Sequence, residues 1–302
     1  KIKVMNLGYA CINTVLSANN IMTNRTMRRK TFDAKGIDYV SELALKNIID
    51  LKTIVQWNNE MKVKLFRLSS GIFPWSDDYK VEDLKDYSEI SNLMLEIGEI
   101  ATDAGQRLTM HPGPYNCLAS PTQKVVDKTI RELNSHSKQF NMFGFEPSNY
   151  NKINIHVGGA YGDKASTLTR FCENFELLND DTKKRLVIEN DDSPNEYSVK
   201  DLYEGIYQVI GIPITFDYFH HKFNTGDLNE EQALKLAATT WPEGITQCCH
   251  YSESRRKEFL DESIRPQAHS DIIYDKIQTY GLEPDIVVEA KLKEQAIFQQ
   301  LL

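Results

Sequence analysis

Short apolar runs alternate with longer amphipathic stretches along most of the chain. Eight runs of β-branched and aliphatic residues predict buried strands at residues 2–7, 65–69, 107–111, 152–157, 186–190, 214–218, 245–250 and 285–289. Between these runs the apolar residues return at helical spacing, as Ile48, Leu51 and Val55 do. The pattern predicts helices at residues 39–58, 88–104, 122–140, 165–178, 199–209, 230–240, 270–280 and 290–302.

The repeated order of strand and helix indicates the fold class. Eight strand and helix pairs follow one another through residues 1–302 with no change in composition and no linker. This order is typical of an α/β protein whose parallel strands close into a barrel. We therefore expect a single (β/α)8 TIM barrel in one domain, with the functional residues at the carboxyl ends of the strands.

Composition and charge limit the classes of function. The 302 residues are 41% hydrophobic and 26% charged, which suits a globular protein and excludes a disordered or repetitive chain. With 35 Lys and Arg against 43 Asp and Glu, the formal charge is −8, so no overall positive field attracts a polyanion. Binding to a nucleic acid would need a local basic patch or bound cations.

The cysteines favour a reducing environment. They number five, two of them are adjacent, and none forms a CxxC pair, so neither a disulfide framework nor a zinc knuckle is expected. No apolar run reaches the roughly 18 residues that a membrane span needs. We therefore expect an intracellular protein with no membrane partner, nuclear or mitochondrial in a eukaryote and cytoplasmic in a prokaryote.

Polar residues suited to metal binding stand at the ends of the predicted strands. Five of the seven histidines and three carboxylates lie at or just after these ends: His111, His156, Glu189, Asp217, His220, His250, His269 and Glu289. One such histidine is more often a hydrogen-bonded core residue than a ligand. The whole set on one rim is not explained by packing, and the period-two alternation of strands allows these side chains to share a cavity.

The crowding of charge in such a cavity indicates bound cations. Several imidazoles and carboxylates repel one another and lose hydration unless cations neutralise them. Mixed histidine and carboxylate ligands suit Mn²⁺, Zn²⁺, Fe²⁺ or Mg²⁺, and the ligand types do not choose among these ions. So many ligands can hold two or three ions, and ions about 4 Å apart are the usual means of phosphodiester hydrolysis.

Nine short blocks, in order along nearly the whole chain, carry a family resemblance. They are LGYACIN at 7–13, FRLSSGIFP at 66–74, MHPGPY at 110–115, NIHVGGAYGDK at 154–164, IENDD at 188–192, FDYFHH at 216–221, CHYSES at 249–254, AHSDII at 268–273 and VVEAKLKE at 287–294. Together they resemble the UV damage endonuclease family. Nine blocks in register are far more specific than any one of them.

The resemblance implies an activity and a cofactor. Family members are TIM barrels that incise duplex DNA immediately 5′ to cyclobutane pyrimidine dimers, (6-4) photoproducts and some other distortions. The products carry a 3′-hydroxyl and a 5′-phosphate, and the chemistry uses a cluster of up to three divalent ions, typically Mn²⁺. We therefore expect a monomeric DNA repair endonuclease whose partner is UV-damaged double-stranded DNA.

The resemblance also implies roles for individual residues. The implied metal ligands are the eight strand-end residues named above. Tyr9 and Asn13 match positions beside the cluster and the DNA. With Glu189 and His250, they are expected to act in catalysis.

Pro114 and Tyr115 match a pair that the family inserts into the duplex at the lesion. The pair usually begins with Gln, and Pro114 has no amide to offer an orphaned base. Stacking by Tyr115 would then carry the recognition. The alternative is that Tyr115 is a packing aromatic next to a turn.

Two further positions depart from the family pattern. Where the family usually places a His after the SSGIFP block, this chain has Asp78, which can still bind a hard cation. Where the family commonly has a Lys that can be carboxylated to bridge metals, this chain has Cys248. A Cys248 thiolate could bind zinc or another soft ion, or that cation could be lost.

Two basic runs could contact the DNA backbone. The first, in the loop after the first strand, is Arg25, Arg28, Arg29 and Lys30, and we expect it to bind phosphates. The second, at 255–257, is flanked by acids, which favours a solvated loop.

Two other classes of function remain open. Sugar isomerases and epimerases on similar barrels also gather His, Asp and Glu around one or two divalent ions, but they need no arginine-rich loop and no protruding tyrosine. A damage-binding barrel that has lost turnover is suggested by Asp78 and Cys248. It would bind lesions without breaking the strand.

Overall fold

A parallel sheet forms the centre of the computed structural model, which describes residues 5–300. Within these residues its eight strands are β1 Leu7–Ala10, β2 Leu65–Leu68, β3 Arg107–Met110, β4 Ile153–Ile155, β5 Leu186–Glu189, β6 Ile214–Thr215, β7 Cys248–Tyr251 and β8 Asp285–Val288. The strand order is β6-β5-β4-β3-β2-β1-β8-β7. The two edges approach at the His250 N–H, which donates to the Phe216 carbonyl at 2.9 Å. The sheet is thus a nearly closed barrel.

Helices follow the strands and cover the outside of the barrel. In the described residues they are α1 Thr14–Ser17, α2 Arg29–Glu60, α3 Tyr87–Asp103, α4 Gln123–Met142, α5 Lys164–Phe175, α6 Asp180–Arg185, α7 Val199–Leu202, α8 Gln208–Ile210, α9 Tyr218–His221, α10 Glu230–Ala238, α11 Arg255–Phe259 and α12 Glu294–Gln300. A π-helical turn at Tyr203–Tyr207 joins α7 to α8, and α2 is interrupted at Gly36, whose φ is +68°. The TIM barrel prediction is confirmed, whereas the single domain over 1–302 stays a prediction.

Both faces of the sheet are buried, as expected for parallel strands under helices. On the outer face, Phe66 and Ile188 belong to a large apolar cluster with helix residues such as Ile48. On the inner face, Leu65 and Val187 belong to a smaller cluster inside the barrel. Because the smaller cluster fills the inside of the barrel, the strand ends above it form the open rim of the barrel.

In residues 5–300, no helix combines the length and the apolar character needed to cross a membrane.

The predicted helix at 270–280 is wrong. The segment is irregular because its backbone N–H groups bind a side chain instead of carbonyls one turn back. The N–H groups of Tyr274 and Asp275 donate to the Glu253 carboxylate at 2.7 and 3.0 Å. The helix that follows β7 is instead the short α11.

Both ends of the chain also differ from the sequence prediction. The first strand was predicted at 2–7, but β1 begins at Leu7, and residues 2–4 lie outside the described residues. The last helix was predicted from residue 290, but α12 begins at Glu294 because Lys293 has a φ of +52°, which interrupts a helix. Residues 301–302 lie outside the described residues.

Candidate metal centre

The predicted strand-end residues are brought to one rim by the barrel. Glu189 is the last residue of β5, and His250 lies within β7. Asp217 is the N-cap of α9, the helix that contains His220. His111, His156 and Glu289 come directly after β3, β4 and β8, and His269 lies in the loop before β8. Because parallel strands end on the same side, these residues meet at the carboxyl end of the barrel.

Glu189 is the centre of the group. Its Oε2 lies 3.2 Å from the Nε2 atom of His111 and 3.5 Å from the Nε2 atom of His156. Its Oε1 lies 3.0 Å from the Nδ1 atom of His250 and 3.6 Å from the Nδ1 atom of His220. Burial opposes the charge of this carboxylate, but His250 and His156 hold its pKa well below the usual range. One buried carboxylate therefore contacts four imidazoles.

Two groups of side chains have the geometry to hold a metal ion. One is His111, His156 and Glu189, the other is Glu189, Asp217 and His220, and within each group the ligand atoms lie within 4.8 Å of one another. Glu189 belongs to both groups. A carboxylate has two oxygens, so Glu189 can bridge neighbouring cations.

Asp217 supplies the clearest test of whether a cation fits. Its Oδ1 accepts the N–H groups of Phe219 and His220 at 2.7 and 2.8 Å. Its Oδ2 is buried and has no hydrogen-bond partner among the described residues. Burial raises the pKa of Asp217 to about 7. A buried carboxylate oxygen without a partner is costly unless it binds a proton or a cation, so the residues present fit a metal.

Backbone and side-chain acceptors orient three of the histidines. The Nδ1 atom of His156 lies 2.8 Å from Oδ1 of Asp191, that of His220 lies 2.8 Å from the Asn190 carbonyl, and that of His111 lies 2.9 Å from the Pro112 carbonyl. This leaves each Nε2 free for the cavity, as in metal sites whose ligands are held by outer partners.

Nearby charge and burial shift the pKa values of the histidines in different directions. Burial opposes protonation of His156, but Glu189 and Asp191 raise its pKa to about 10. Burial likewise opposes the charge of His220, whose pKa Asp217 and Glu189 raise to about 9. Burial lowers the pKa of His250 to about 3.

Glu289 and His269 lie beside the two metal-binding groups rather than within them. Oε1 of Glu289 lies 3.5 Å from the Nδ1 atom of His250, and Oε2 lies 3.6 Å from the Nδ1 atom of His269. Glu289 also forms an ion pair with Arg67. Burial opposes its charge, but Arg67 and His250 lower its pKa. Glu289 and His269 thus adjoin the two metal-binding groups through His250.

The structure does not place Asp78 or Cys248 in either metal-binding group. Asp78 forms an ion pair with Arg29 in the loop after β2. Cys248 lies inside the barrel with Leu65 and Val287. It stands two residues before His250, on the same side of β7 but one layer deeper. Their predicted ligand roles gain no support from these positions.

Tyr9 and Asn13 contact each other away from the cavity. The Tyr9 hydroxyl donates to Oδ1 of Asn58 at 2.8 Å and accepts from the Asn13 amide at 2.9 Å. Asn13 also caps α1 by accepting from the Leu16 N–H at 2.9 Å. Both side chains are buried, Tyr9 between the barrel and α2. Their predicted roles in catalysis and DNA contact gain no support from this placement.

A cavity of about 350 Å³ beside the metal-binding groups is bordered by the loop after β3, which contains the predicted lesion-binding pair Pro114 and Tyr115. Its lining includes His111, Pro114, His156 and His220. Tyr115 follows Pro114 and is 83% exposed, so it does not pack on the protein. The packing alternative for Tyr115 is therefore wrong in this structure.

The predicted basic run spans the end of the loop before α2 and the first residues of α2, which begins at Arg29, and it is partly neutralised. Arg25 forms an ion pair with Asp50 at 2.7 Å, and its guanidinium donates to two backbone carbonyls. Arg29 is paired with Asp33 and Asp78. Arg28 and Lys30 are exposed and have no ion-pair partner in the part of the chain described here. Only part of the predicted phosphate-binding surface is thus free.

Three residues that contact the candidate ligands were missed by the sequence analysis: Arg67, Lys152 and Asn154. The Asn154 amide donates to Oε2 of Glu189, and the Lys152 ammonium contacts His250. A signal was available, because Lys152 and Asn154 share the alternation of His156 within a predicted buried strand. A lysine at such a position needs buried partners.

The fold and the side chains at its rim together define a class of protein. It is a TIM barrel whose carboxyl rim has a centre of histidines and carboxylates that is able to hold divalent metal. Residues 5–302 match the family described as UV-endonuclease UvdE. The chain belongs to this family.

Individual relatives agree with the family match. The chain is 36% identical over 304 residues to the UV-damage endonuclease of Schizosaccharomyces pombe, which covers 97% of this chain. It spans 49%, about half, of that relative's length. The crystal structure of SacUVDE superposes with a TM-score of 0.83 at 29% identity, covering 98% of this chain and 99% of that one. A D-psicose 3-epimerase from Clostridium cellulolyticum H10 shares the fold alone, with a TM-score of 0.53 at 13% identity over 79% of this chain and 78% of that one.

Proposed function

We propose that this protein is a metal-dependent DNA repair endonuclease that nicks duplex DNA immediately 5′ to UV photoproducts, leaving a 3′-hydroxyl and a 5′-phosphate. The observation that carries the proposal is the position of Glu189, which belongs to both metal-binding groups at the barrel rim. Membership of the UvdE family supports the DNA substrate. Cyclobutane dimers and (6-4) photoproducts are the proposed lesions.

The proposed cofactor is a cluster of up to three Mn²⁺ ions. His111, His156 and Glu189 would hold one ion, Glu189, Asp217 and His220 a second, and His250, His269 and Glu289 a third. Bound divalent ions would supply an activated water near neutral pH and neutralise charge on the phosphate oxygens. Asp78 and Cys248 have no place among the ligands in this proposal.

Other residues of the chain hold the candidate ligands in position. Asp191 and the carbonyls of Pro112 and Asn190 hold three imidazoles at Nδ1, which keeps each Nε2 directed into the cavity. Arg67 holds Glu289 through their ion pair. Tyr9 and Asn13 act here by fixing α1 and the first loop, since neither side chain reaches solvent.

Recognition of the lesion would come from the loop after β3. Photoproducts weaken pairing and stacking, so separating the damaged bases takes less than the few kcal/mol of an intact step. Tyr115 projects from this loop beside the cavity and can stack in the gap, which contributes about 1 to 3 kcal/mol per base. Arg28 and Lys30 would bind phosphates of the same duplex. We propose that the protein acts as a monomer inside the cell, in the compartment that contains the DNA.

A duplex with one defined cyclobutane dimer and a labelled damaged strand tests this function. The protein is incubated with it in chelator, in Mg²⁺ and in Mn²⁺, and the nick is mapped on a sequencing gel. A metal-dependent cut immediately 5′ to the dimer is expected. Failure to cut in either metal, with lesion binding retained, would instead support a binding protein without turnover.

A further inference from the structure

A fully buried lysine lies beneath the candidate metal centre. Lys152 precedes β4, is 0% exposed, and belongs to none of the metal-binding groups. Its Nζ donates to Oδ1 of Asn154 at 2.9 Å and to Oγ1 of Thr215 at 2.8 Å. Its third close contact is the Nε2 atom of His250 at 3.2 Å. An aliphatic residue would fill this space without desolvating an amine, so the contacts rather than the packing explain the lysine.

The contact with His250 sets which nitrogen faces the cavity. The Nε2 atom of His250 is directed down to Lys152. Its Nδ1 atom is therefore directed up, 3.0 Å from Oε1 of Glu189 and 3.5 Å from Oε1 of Glu289. This orientation is the reverse of that of His111 and His156, whose Nε2 atoms face Glu189. His250 is 0% exposed, so its ring does not face bulk solvent.

The contact with Asn154 extends the influence of Lys152 to Glu189. Because the lysine needs an acceptor, it binds the Asn154 oxygen, and the Asn154 amide then points to Oε2 of Glu189. Lys152 thus reaches the shared carboxylate by two routes, one through His250 and one through Asn154. Thr215, at the end of β6, anchors the amine from a third strand.

We propose that Lys152 is a positioning residue of the metal centre: from inside the barrel it fixes the His250 ring and the Asn154 amide, and through them the Glu189 carboxylate. This inference rests on the proposed function only in requiring that the centre binds a divalent ion. Lys152 touches neither DNA nor the reacting phosphate in this scheme. Its loss would act on metal affinity and turnover and would leave DNA binding unchanged.

The main test is Lys152→Met, which keeps most of the side-chain volume and removes the amine. Outer partners of metal ligands typically contribute about 10- to 100-fold in metal affinity or activity, so we expect the Mn²⁺ dissociation constant to rise by that factor. Calorimetric titration with Mn²⁺ measures it. On a dimer-containing duplex, kcat should fall by a similar factor with KM unchanged.

A second readout needs no metal. Long-range ¹H–¹⁵N NMR of the metal-free protein reports the imidazole nitrogens, and the His250 signals should shift in Lys152→Met while those of His136, buried outside the centre in α4, stay unchanged. Thr215→Val, which keeps the lysine and removes one anchor, should show smaller shifts and a smaller loss of Mn²⁺ affinity. It also keeps the test available if Lys152→Met does not fold.

The outcomes separate the two proposals. Native Mn²⁺ affinity together with unchanged His250 signals in Lys152→Met would overturn the positioning role. If Lys152→Met does not fold, native affinity and unchanged signals in Thr215→Val would overturn it. If the unmodified protein binds no Mn²⁺ and cuts no DNA, the proposed function fails, while the NMR comparison still decides whether Lys152 orients His250.

Discussion

The two oxygens of Glu189 contact different imidazoles: Oε1 lies 3.0 Å from the Nδ1 atom of His250, and Oε2 lies 3.2 Å from the Nε2 atom of His111 and 3.5 Å from that of His156. No other carboxylate in residues 5–300 belongs to both metal-binding groups. A change at this one side chain should therefore disable more of the centre than a change at any single histidine.

Glu189→Gln should lower the rate of nicking by more than about 100-fold and leave binding to damaged duplex within a few-fold of the original. The amide keeps the shape of the side chain but removes a negative charge that cations would share. Single-turnover cleavage and a gel-shift assay measure the two effects. Glu196→Gln is the matched control, because Glu196 lines the neighbouring cavity outside both metal-binding groups, and it should cut normally.

Tyr115→Ala should reduce the preference for damaged over intact duplex by about 5- to 100-fold, the equivalent of one lost stacking contact. Since the side chain is 83% exposed, the melting temperature should not change. Competition binding with and without a dimer measures the preference. Tyr150→Ala, in the turn before β4 at the opposite end of the barrel, should keep it. Equal discrimination in Tyr115→Ala would remove this residue from lesion recognition.

The basic residues around the start of α2 should divide into two kinds. Arg28→Ala and Lys30→Ala should each weaken DNA binding and reduce the slope of log affinity against log salt by about 0.9. Arg25→Ala should instead lower protein stability, because Arg25 is held by Asp50 and two backbone carbonyls. Salt titrations of binding and urea unfolding distinguish the two kinds. A salt slope that only Arg25→Ala changes would contradict this division.

Cys248→Lys should destabilise the protein by about 3 kcal/mol, because the site is fully buried and a larger, charged side chain must enter a packed interior near Lys152. Cys248→Ala should cost only about 1 kcal/mol. In the background of Lys152→Met, the cost of Cys248→Lys should fall, since one amine is gone. Urea unfolding of the unmodified protein, Cys248→Lys, Lys152→Met and the double variant, all without metal, checks this coupling, and strictly additive costs would contradict it.

Metal affinity should rise with pH between about 6 and 9. In the metal-free protein the pKa of His156 is raised to about 10 and that of His220 to about 9, so both rings are protonated at neutral pH and must lose protons to bind a cation. Mn²⁺ titration in buffers of different ionisation enthalpy measures the protons released.

In the metal-free protein, the same two histidines should make the folded state less stable as the pH rises. Their raised pKa values stabilise the folded state fully below about pH 6.5, and this contribution is lost as pH rises through 9 and 10. Chelator-treated protein should therefore lose stability over that interval, and His220→Asn should lose less than the unmodified protein. A Mn²⁺ affinity that does not change with pH would show that these rings are not ligands.

The barrel and the identity of its rim residues were accessible from pattern alone. Alternation and strand order place Glu189 and His250 at the carboxyl ends of parallel strands, and parallel strands end on one side. The helix predicted at 270–280 failed because a distant carboxylate, Glu253, binds the backbone N–H groups that a helix would use. Local periodicity carries no information about such a competitor.

The order of residues along the chain was thus enough to predict the fold, the rim and most of the candidate ligands. Side chains alternate along each strand, and parallel strands all end on the same side of the sheet, so the pattern within each strand indicates which residues reach the rim. Which nitrogen of His250 faces the cavity, and which arginines remain free, was settled only by folding. Lys152 and His250 are 98 residues apart, and Arg67 and Glu289, which neutralise each other, are 222 residues apart. Such contacts depend on side-chain positions in three dimensions, and no spacing in the sequence records them.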